Sequence, residues 1–274
     1  PNQSPSWCAQ FTTLAQREMQ TKVRSKVAFH ANLARTVVLA TIFGLTFLRI
    51  ELTQKKIFPL NGVIFFITAM SIIQGALAQV MTLPGKMPAI LREQQSGAFT
   101  ISAFYFAKTA SDLPFEIFFT LIWSAITYWM INLGDDFMNF LVFFALQLLC
   151  AQVASGIGYL AGFLFDNPAV AFLFCILNTI PAMLFGGFMI NINSVPIGFR
   201  WLRDVSSIKY GYSLVMINFW DGPAGGNLPC TTEDLDDLGF CPYPTGKDVL
   251  VYSGMDSSMW WRDLIALASI ATFY

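Results

Sequence analysis

The stretch IFPLNGVIFFITAMSIIQGALAQVMTLPG, residues 57–85, decides the fold because it contains no charged side chain. It is longer than the roughly 20 residues that an α-helix needs to cross the hydrocarbon core of a bilayer. Residues 137–165 and 167–199 form two further runs without charge. No alternating barrel pattern is present, and backbone polar groups in lipid must bond within their own segment. These runs therefore predict membrane-spanning helices.

The composition of the whole chain agrees with this interpretation. Charged residues make up 12% of the 274 residues, and hydrophobic residues make up 55%. An ordinary soluble domain carries about 25% charged residues. A mean hydropathy of +0.56 argues against a soluble enzyme or a disordered chain. The net charge of −1 provides no electrostatic footprint for nucleic acid.

The charge-free runs and their shorter neighbours divide the chain into segments. We predict an amphipathic cytoplasmic segment at 1–32 and a transmembrane domain at 33–274. An external segment at 191–258 follows the fifth span, and within it 205–220 is predicted to be an interfacial or re-entrant helix. The sixth span is expected to be truncated, as part of a longer polypeptide. The predicted spans lie near 33–50, 57–84, 101–131, 137–165, 168–190 and 260–274.

The distribution of cations predicts the orientation. Four Lys and Arg residues lie between positions 17 and 26, opposed by Glu18 alone. Cytoplasmic segments carry an excess of such residues, so we expect the N-terminus in the cytoplasm of a plasma membrane or endomembrane. Lys55 and Lys56, in the first external loop, disagree with this assignment.

Lys108, Asp112 and Glu116 follow one another at helical spacing and form one stripe. They could form a solvated turn before the third span enters lipid, or a buried ion or proton site. The solvated turn is favoured because the long runs contain no ionisable group to continue a relay.

Two apolar helix faces stand out in the second and fifth spans. Their spacing alone favours ordinary helix packing. The first face comprises Phe66, Met70 and Ile73, and the second comprises Ile176, Ile180 and Met183.

Two cysteines, Cys230 and Cys241, lie in the predicted external segment. An oxidising compartment favours a disulfide between them over two free thiols. A metal site is not expected, since His30 is the only histidine and four ligands cannot be assembled.

Taken in order along the chain, several short motifs resemble the membrane domain of the G (White) subfamily of ATP-binding cassette transporters. The resemblance covers nearly the whole chain. Each motif is weak alone, but their order and spacing are specific. The motifs are Gln10 to Arg17, Gly62 to Thr68, Arg92-Glu93 with Ser96-Gly97, Ser111 to Pro114, Trp201 to Gly211, and Cys241 before Thr245-Gly246.

The resemblance implies the ABC-2 type (type V exporter) fold. This is an all-α, polytopic, six-helix transmembrane domain with an N-terminal amphipathic connecting helix and re-entrant or external helices between spans five and six. It also implies that two half-transporters dimerise, as a homodimer or heterodimer, around a central slit lined by the two apolar faces. Phe188 and Met189 fall at the extracellular valve, where family members often carry paired leucines. Arg17, Arg92 and Glu93 would couple the domain to its ATPase, with Arg17 paired to Glu93. Cys230 and Cys241 match the family's disulfide.

The family also implies a function: export of hydrophobic molecules driven by ATP and Mg²⁺ on a nucleotide-binding domain, which we expect elsewhere in the polypeptide. The chain itself contains no P-loop, since Thr245-Gly246-Lys247-Asp248 lacks the first Gly and the final Ser or Thr. No catalytic site is therefore expected here. Ile73 replaces the aromatic residue, and Met70 the amide, that bind drugs in multidrug members. We expect lipids, sterols or other amphipathic substrates. A multidrug exporter and a non-transporting membrane scaffold are the alternatives.

Overall fold

The protein is an all-α bundle in a computed structural model that describes residues 6–50, 52–222, 225, 226, 228, 230 and 241–273. The described part contains no β-strand, which confirms the predicted fold class. Pro1 to Pro5, Tyr274 and most of 223–240 were included in predicted segments but lie outside the described residues. The α-helices are α1 (Trp7–Arg24), α2 (Lys26–Thr46), α3 (Ile57–Val80), α4 (Met87–Gln95), α5 (Ile101–Ile131), α6 (Phe137–Leu164), α7 (Pro168–Leu184), α8 (Arg200–Val205), α9 (Ser207–Trp220), α10 (Gly246–Tyr252) and α11 (Trp260–Phe273).

Four helical segments of the described chain are long and apolar enough to cross a membrane. They are Lys26–Thr46, Gln54–Gln95, Ile101–Ile131 and Phe137–Leu164. Helix α7, with 17 residues, is apolar but shorter. Helix α5 covers the same residues as the predicted third span and contains Pro114 in its interior.

Several helix ends differ from the predicted spans. Helix α2 begins at Lys26, well before the predicted start at 33, and follows α1 after the single residue Ser25. Helix α7 ends at Leu184 rather than near 190. Phe185 already leaves helical geometry, with φ = −93° and ψ = 13°, and Gly187 adopts φ = +98°, a left-handed conformation that bars continuation to 190.

Short polar side chains start two of the long helices. The Asp136 carboxylate accepts a hydrogen bond from the Met138 amide at the start of α6. The Asn167 side chain accepts one from the Ala169 amide at the start of α7, where Pro168 occupies the first turn. Both residues satisfy amides that have no partner inside the helix.

Helices α3 and α6 approach each other closely, and glycines make this approach possible. A Cβ on Gly158 would lie 2.7 Å from the Ala76 carbonyl oxygen of α3. A Cβ on Gly75 would lie 2.9 Å from the Ala151 carbonyl oxygen of α6. Small residues at such crossings let two backbones meet, which is a main source of helix association in membranes.

Helix α9 lies inside the bundle and contacts α3, α6 and α11. Almost all of its residues are buried, including Tyr212, Leu214 and Met216. The burial shows that the helix packs within the protein, and its position as an interfacial or re-entrant helix stays a prediction. A charge-poor helix that enters the protein from a loop needs such surroundings because its flanking irregular backbone cannot face lipid.

Candidate translocation, coupling and cavity sites

The connecting helix α1 docks on α4 and α5 through polar contacts. Arg17 Nη1 lies 2.8 Å from Glu93 Oε2 of α4, and both side chains are less than half exposed. The resemblance pointed to this pair, and the structure brings the two residues together. Arg92, the third residue expected to act in coupling, is exposed and makes no ion pair with any described residue.

Further contacts fix α1 along its length. Lys86 Nζ lies 3.1 Å from Glu18 Oε2, a carboxylate that is buried although it belongs to a surface helix. The Gln10 side-chain oxygen accepts a 2.9 Å hydrogen bond from the Thr100 amide before α5. Several independent contacts therefore hold α1 in one register against the chain that precedes and begins α5.

The six residues of the two apolar faces lie on neighbouring helices, since α3 contacts α7. Phe66, Met70, Ile73, Ile176 and Met183 are half-buried, and Ile180 is 58% exposed. The two faces are thus partly unpartnered in the single chain. Residues on the same exposed stripe of α7 as Ile180 include Leu173, Leu177 and Leu184.

Phe188 sits in a cluster of aromatic rings beyond the end of α7. Its ring centroid lies 5.2 Å from that of Phe65 and 5.3 Å from that of Phe58, and it meets Tyr212 edge-on at 6.4 Å. A Cβ on Gly62 would lie 3.0 Å from the tip of this ring. Met189, the other expected valve residue, is exposed.

The stripe on α5 is buried, so the favoured interpretation as a solvated turn is wrong. Lys108 and Asp112 are 4% and 1% exposed, respectively. Lys108 Nζ donates to both Asp112 oxygens at 2.9 and 2.8 Å, and Lys22 of α1 pairs with the same carboxylate. The Tyr159 hydroxyl of α6 donates a 2.6 Å hydrogen bond to it. Burial lowers the pKa of Lys22 from its usual range, whereas Asp112 acts in the opposite direction.

Glu116 extends this buried cluster one turn further along α5. Its carboxylate accepts hydrogen bonds from Gln152 and Ser155 of α6 and a long one, 3.5 Å, from Gln79 of α3. The helical spacing predicted the stripe itself. The partners could not be predicted in the same way, because Lys22, Tyr159 and Gln152 come from other helices, far away along the chain.

A cavity of about 190 Å³ adjoins the cluster. It lies between α2, α3 and α5 and reaches the junction of α1 with α2. No residue of the two predicted slit faces lines it. Its aromatic wall includes Phe29, whose ring centroid lies 5.5 Å from that of Phe119.

A second cavity, of about 320 Å³, lies between α8, α9 and α11. Lys209 Nζ is 3.2 Å from Asp204 Oδ1 at its edge, and the Ser213 hydroxyl donates a 2.7 Å hydrogen bond to the buried Asp263. Asp204 and Lys209 belong to the motif from Trp201 to Gly211, but no site was predicted for Ser213 or Asp263.

The predicted disulfide between Cys230 and Cys241 is confirmed, with the two Cα atoms 6.2 Å apart. Cys150 and Cys175 are buried free thiols. Among the described residues, no group of three or more His, Cys, Asp or Glu side chains could hold a metal ion.

These features define an integral membrane protein with a docked N-terminal helix and a buried helix inside the bundle, and residues 9–220 match the ABC-2 type transporter family. The chain belongs to this family. Its similar proteins show to which subfamily of these transporters it is related. It is 31% identical to the ABC transporter ATP-binding protein/permease wht-1 of Caenorhabditis elegans over 89% of this chain and 36% of that protein. It is 28% identical to protein white of Drosophila melanogaster over 96% of this chain and 38% of that protein.

A further relative is the broad substrate specificity ATP-binding cassette transporter ABCG2 of Bos taurus, with 26% identity over 98% of this chain and 41% of that protein. The predicted membership of the G subfamily, with its White members, is thereby confirmed. The chain spans about 36–41% of the length of these curated relatives.

Proposed function

We propose that this chain is the substrate-translocating membrane domain of an ATP-driven half-transporter that exports lipids, sterols or other amphipathic molecules. The observation that carries the proposal is the pair of half-buried apolar faces on the adjacent helices α3 and α7. A second half-transporter would cover these faces and leave a slit between the protomers. Phe66, Met70, Ile73, Ile176, Ile180 and Met183 would line this slit.

The chemistry of the six residues supports an apolar substrate. All six are hydrophobic, and ligand sites of this kind are mostly apolar with few polar groups. Met70 and Ile73 provide no amide and no aromatic ring to fix a planar drug. A sterol or an acyl chain needs neither, because its binding depends chiefly on the apolar area removed from water.

Coupling would pass through the connecting helix. The Arg17–Glu93 pair ties α1 to α4, and Arg92 remains exposed for a contact with the ATPase domain. An exposed ion pair contributes only about 0–1 kcal/mol to stability, so its role would be alignment. On the predicted orientation, with the N-terminus in the cytoplasm, α1 and α4 both face the ATPase. The chain itself offers no P-loop for ATP and Mg²⁺, so those ligands would bind to the nucleotide-binding domain.

The test is the ATPase activity of the full-length protein in nanodiscs, measured with added sterols and phospholipids. Sterol or phospholipid should stimulate the wild type, and I180A should weaken the half-maximal response. The matched control is L121A, which truncates an exposed residue on α5 that lies on neither face. Active nucleotide domains that respond to none of these lipids would refute the substrate class. Equal responses of I180A and L121A would refute the slit.

Two alternatives give different results in the same assay. A multidrug exporter, which one relative's name favours because ABCG2 is described as having broad substrate specificity, would respond to many unrelated drugs. A membrane scaffold would show no stimulated hydrolysis with any ligand.

A further inference from the structure

The cavity between α2, α3 and α5 contains a cation that none of the described residues neutralises. Arg35 of α2 lines the cavity and makes no ion pair or hydrogen bond with any of them. Its Nε atom is buried without an acceptor. An arginine inside a membrane span is costly unless it reaches a partner or the headgroup level, so this one calls for a counterion.

The other charges around the cavity do not supply that counterion. Asp112 is already bound by Lys22, Lys108 and the Tyr159 hydroxyl. Glu116 accepts from side chains of α3 and α6. Three cations therefore oppose two acids, which leaves one positive charge. If Glu116 carried a proton, the balance would be more positive still.

Two further hydrogen-bond donors that lack an acceptor line the same cavity. Gln74 Nε2 of α3 and Trp123 Nε1 of α5 are buried without an acceptor, and both residues line the cavity. Buried donors normally have partners, so three such donors around one cavity, counting Arg35, indicate a missing acceptor. A phosphodiester or carboxylate group is the acceptor best suited to a guanidinium, which it binds through two parallel hydrogen bonds.

The remaining lining combines aromatic rings with hydroxyl and amide side chains, and one end of it is exposed. Phe29, Phe115 and Phe119 contribute aromatic rings. Ser25 and Ala28, which also line the cavity, are exposed where α1 meets α2. A chain that passes there from an amphipathic surface helix into a span lies at the headgroup region of the bilayer.

We infer that this cavity is a binding site for the anionic headgroup of a membrane lipid, held by Arg35 within one protomer and separate from the slit between protomers. The lipid's phosphate or carboxylate would contact the guanidinium inside the cavity. The shared chemistry of phosphate and carboxylate also allows a soluble anion, so the experiment must distinguish the two.

The experiment is native mass spectrometry of the full-length protein released from nanodiscs of phosphatidylcholine with and without phosphatidylserine. Wild type should retain phosphatidylserine in preference to phosphatidylcholine. R35Q should reduce that retention about tenfold, because a charge-assisted hydrogen bond contributes enough to change an affinity by this factor. R24Q is the matched control, since it removes an exposed cation near the same junction that does not line the cavity. R24Q should retain lipid as the wild type does.

Two results would overturn the inference. One is equal retention by wild type and R35Q, and the other is equal retention of the two lipids. If inorganic phosphate displaces the retained lipid, the site belongs to a soluble anion instead. W123F provides a second variant in case R35Q does not fold, because it removes the indole donor but keeps an aromatic ring. It should lower the retention of phosphatidylserine by a smaller factor than R35Q. Retention by W123F equal to that of the wild type would then count against the site.

Discussion

Truncation of Phe188 tests the assignment of the aromatic cluster as the extracellular valve. The ring makes three aromatic contacts, with centroid distances of 5.2, 5.3 and 6.4 Å. Each such pair is worth about 0.5–1.5 kcal/mol beyond its buried area, so F188A would remove roughly 2–4 kcal/mol from the closed arrangement. Every 1.4 kcal/mol changes a population ratio by about tenfold. A valve weakened this much should open far more often.

The assay measures basal ATPase activity and dye leakage in proteoliposomes that contain the full-length protein. F188A should raise both, the leak by about tenfold or more on the energies above. F188L should lie between F188A and wild type, since it keeps apolar volume but loses the ring contacts. The control is F137A, which truncates an exposed ring at the start of α6 that does not contact this cluster.

Unchanged basal rate and leak in F188A, with thermal stability close to wild type, would refute the valve assignment. A second variant adds volume next to the ring instead of removing the ring. G62A places a methyl group 3.0 Å from the tip of the Phe188 ring and should displace it. If G62A alters the leak but F188A does not, the space near Gly62, rather than the ring, controls passage.

Three further predictions follow from the packing and the charges. G158A should lower the stability of the purified domain by about 1–3 kcal/mol, because the methyl group would meet the α3 backbone. G198A, whose methyl group would meet open space, should leave the stability unchanged. Equal melting temperatures for G158A and G198A would contradict the close contact between α3 and α6. R17E should uncouple ATPase activity from substrate with less than about 1 kcal/mol loss of stability, and the added E93R should restore coupling. Failure of the double variant to recover would argue against pairing as the coupling contact. C230S should leave a free thiol at Cys241, detectable by alkylation and mass spectrometry, whereas Cys241 of the wild type should not be alkylated.

Much of the fold could be predicted from residue type alone. Charge-free runs such as 137–165 can only be accommodated as long apolar helices, and the observed α6 covers 137–164. Helix ends were less predictable, because α7 stops where the backbone leaves helical geometry at Phe185 and cannot resume through Gly187. Span length follows from composition, whereas the ends follow from local torsion angles and packing.

The candidate sites, too, could be predicted from the sequence only in part. The Arg17–Glu93 pair was anticipated because a family resemblance linked the two residues across the sequence. The burial of Asp112 was not, because it depends on Lys22 and Tyr159 arriving from other helices. A stripe at helical spacing identifies neighbours on its own helix only. Whether such a stripe faces water or protein is decided by tertiary contacts.

ATP-dependent movement of a fluorescent sterol and a fluorescent phospholipid across proteoliposome membranes tests the proposed function most directly. The full-length protein should move at least one of them when ATP is present and neither with a non-hydrolysable analogue. I180A should reduce the rate, while L121A should match wild type. ATP hydrolysis without movement of either lipid, or movement unaffected by I180A, would contradict the account of an apolar conduit formed by α3 and α7.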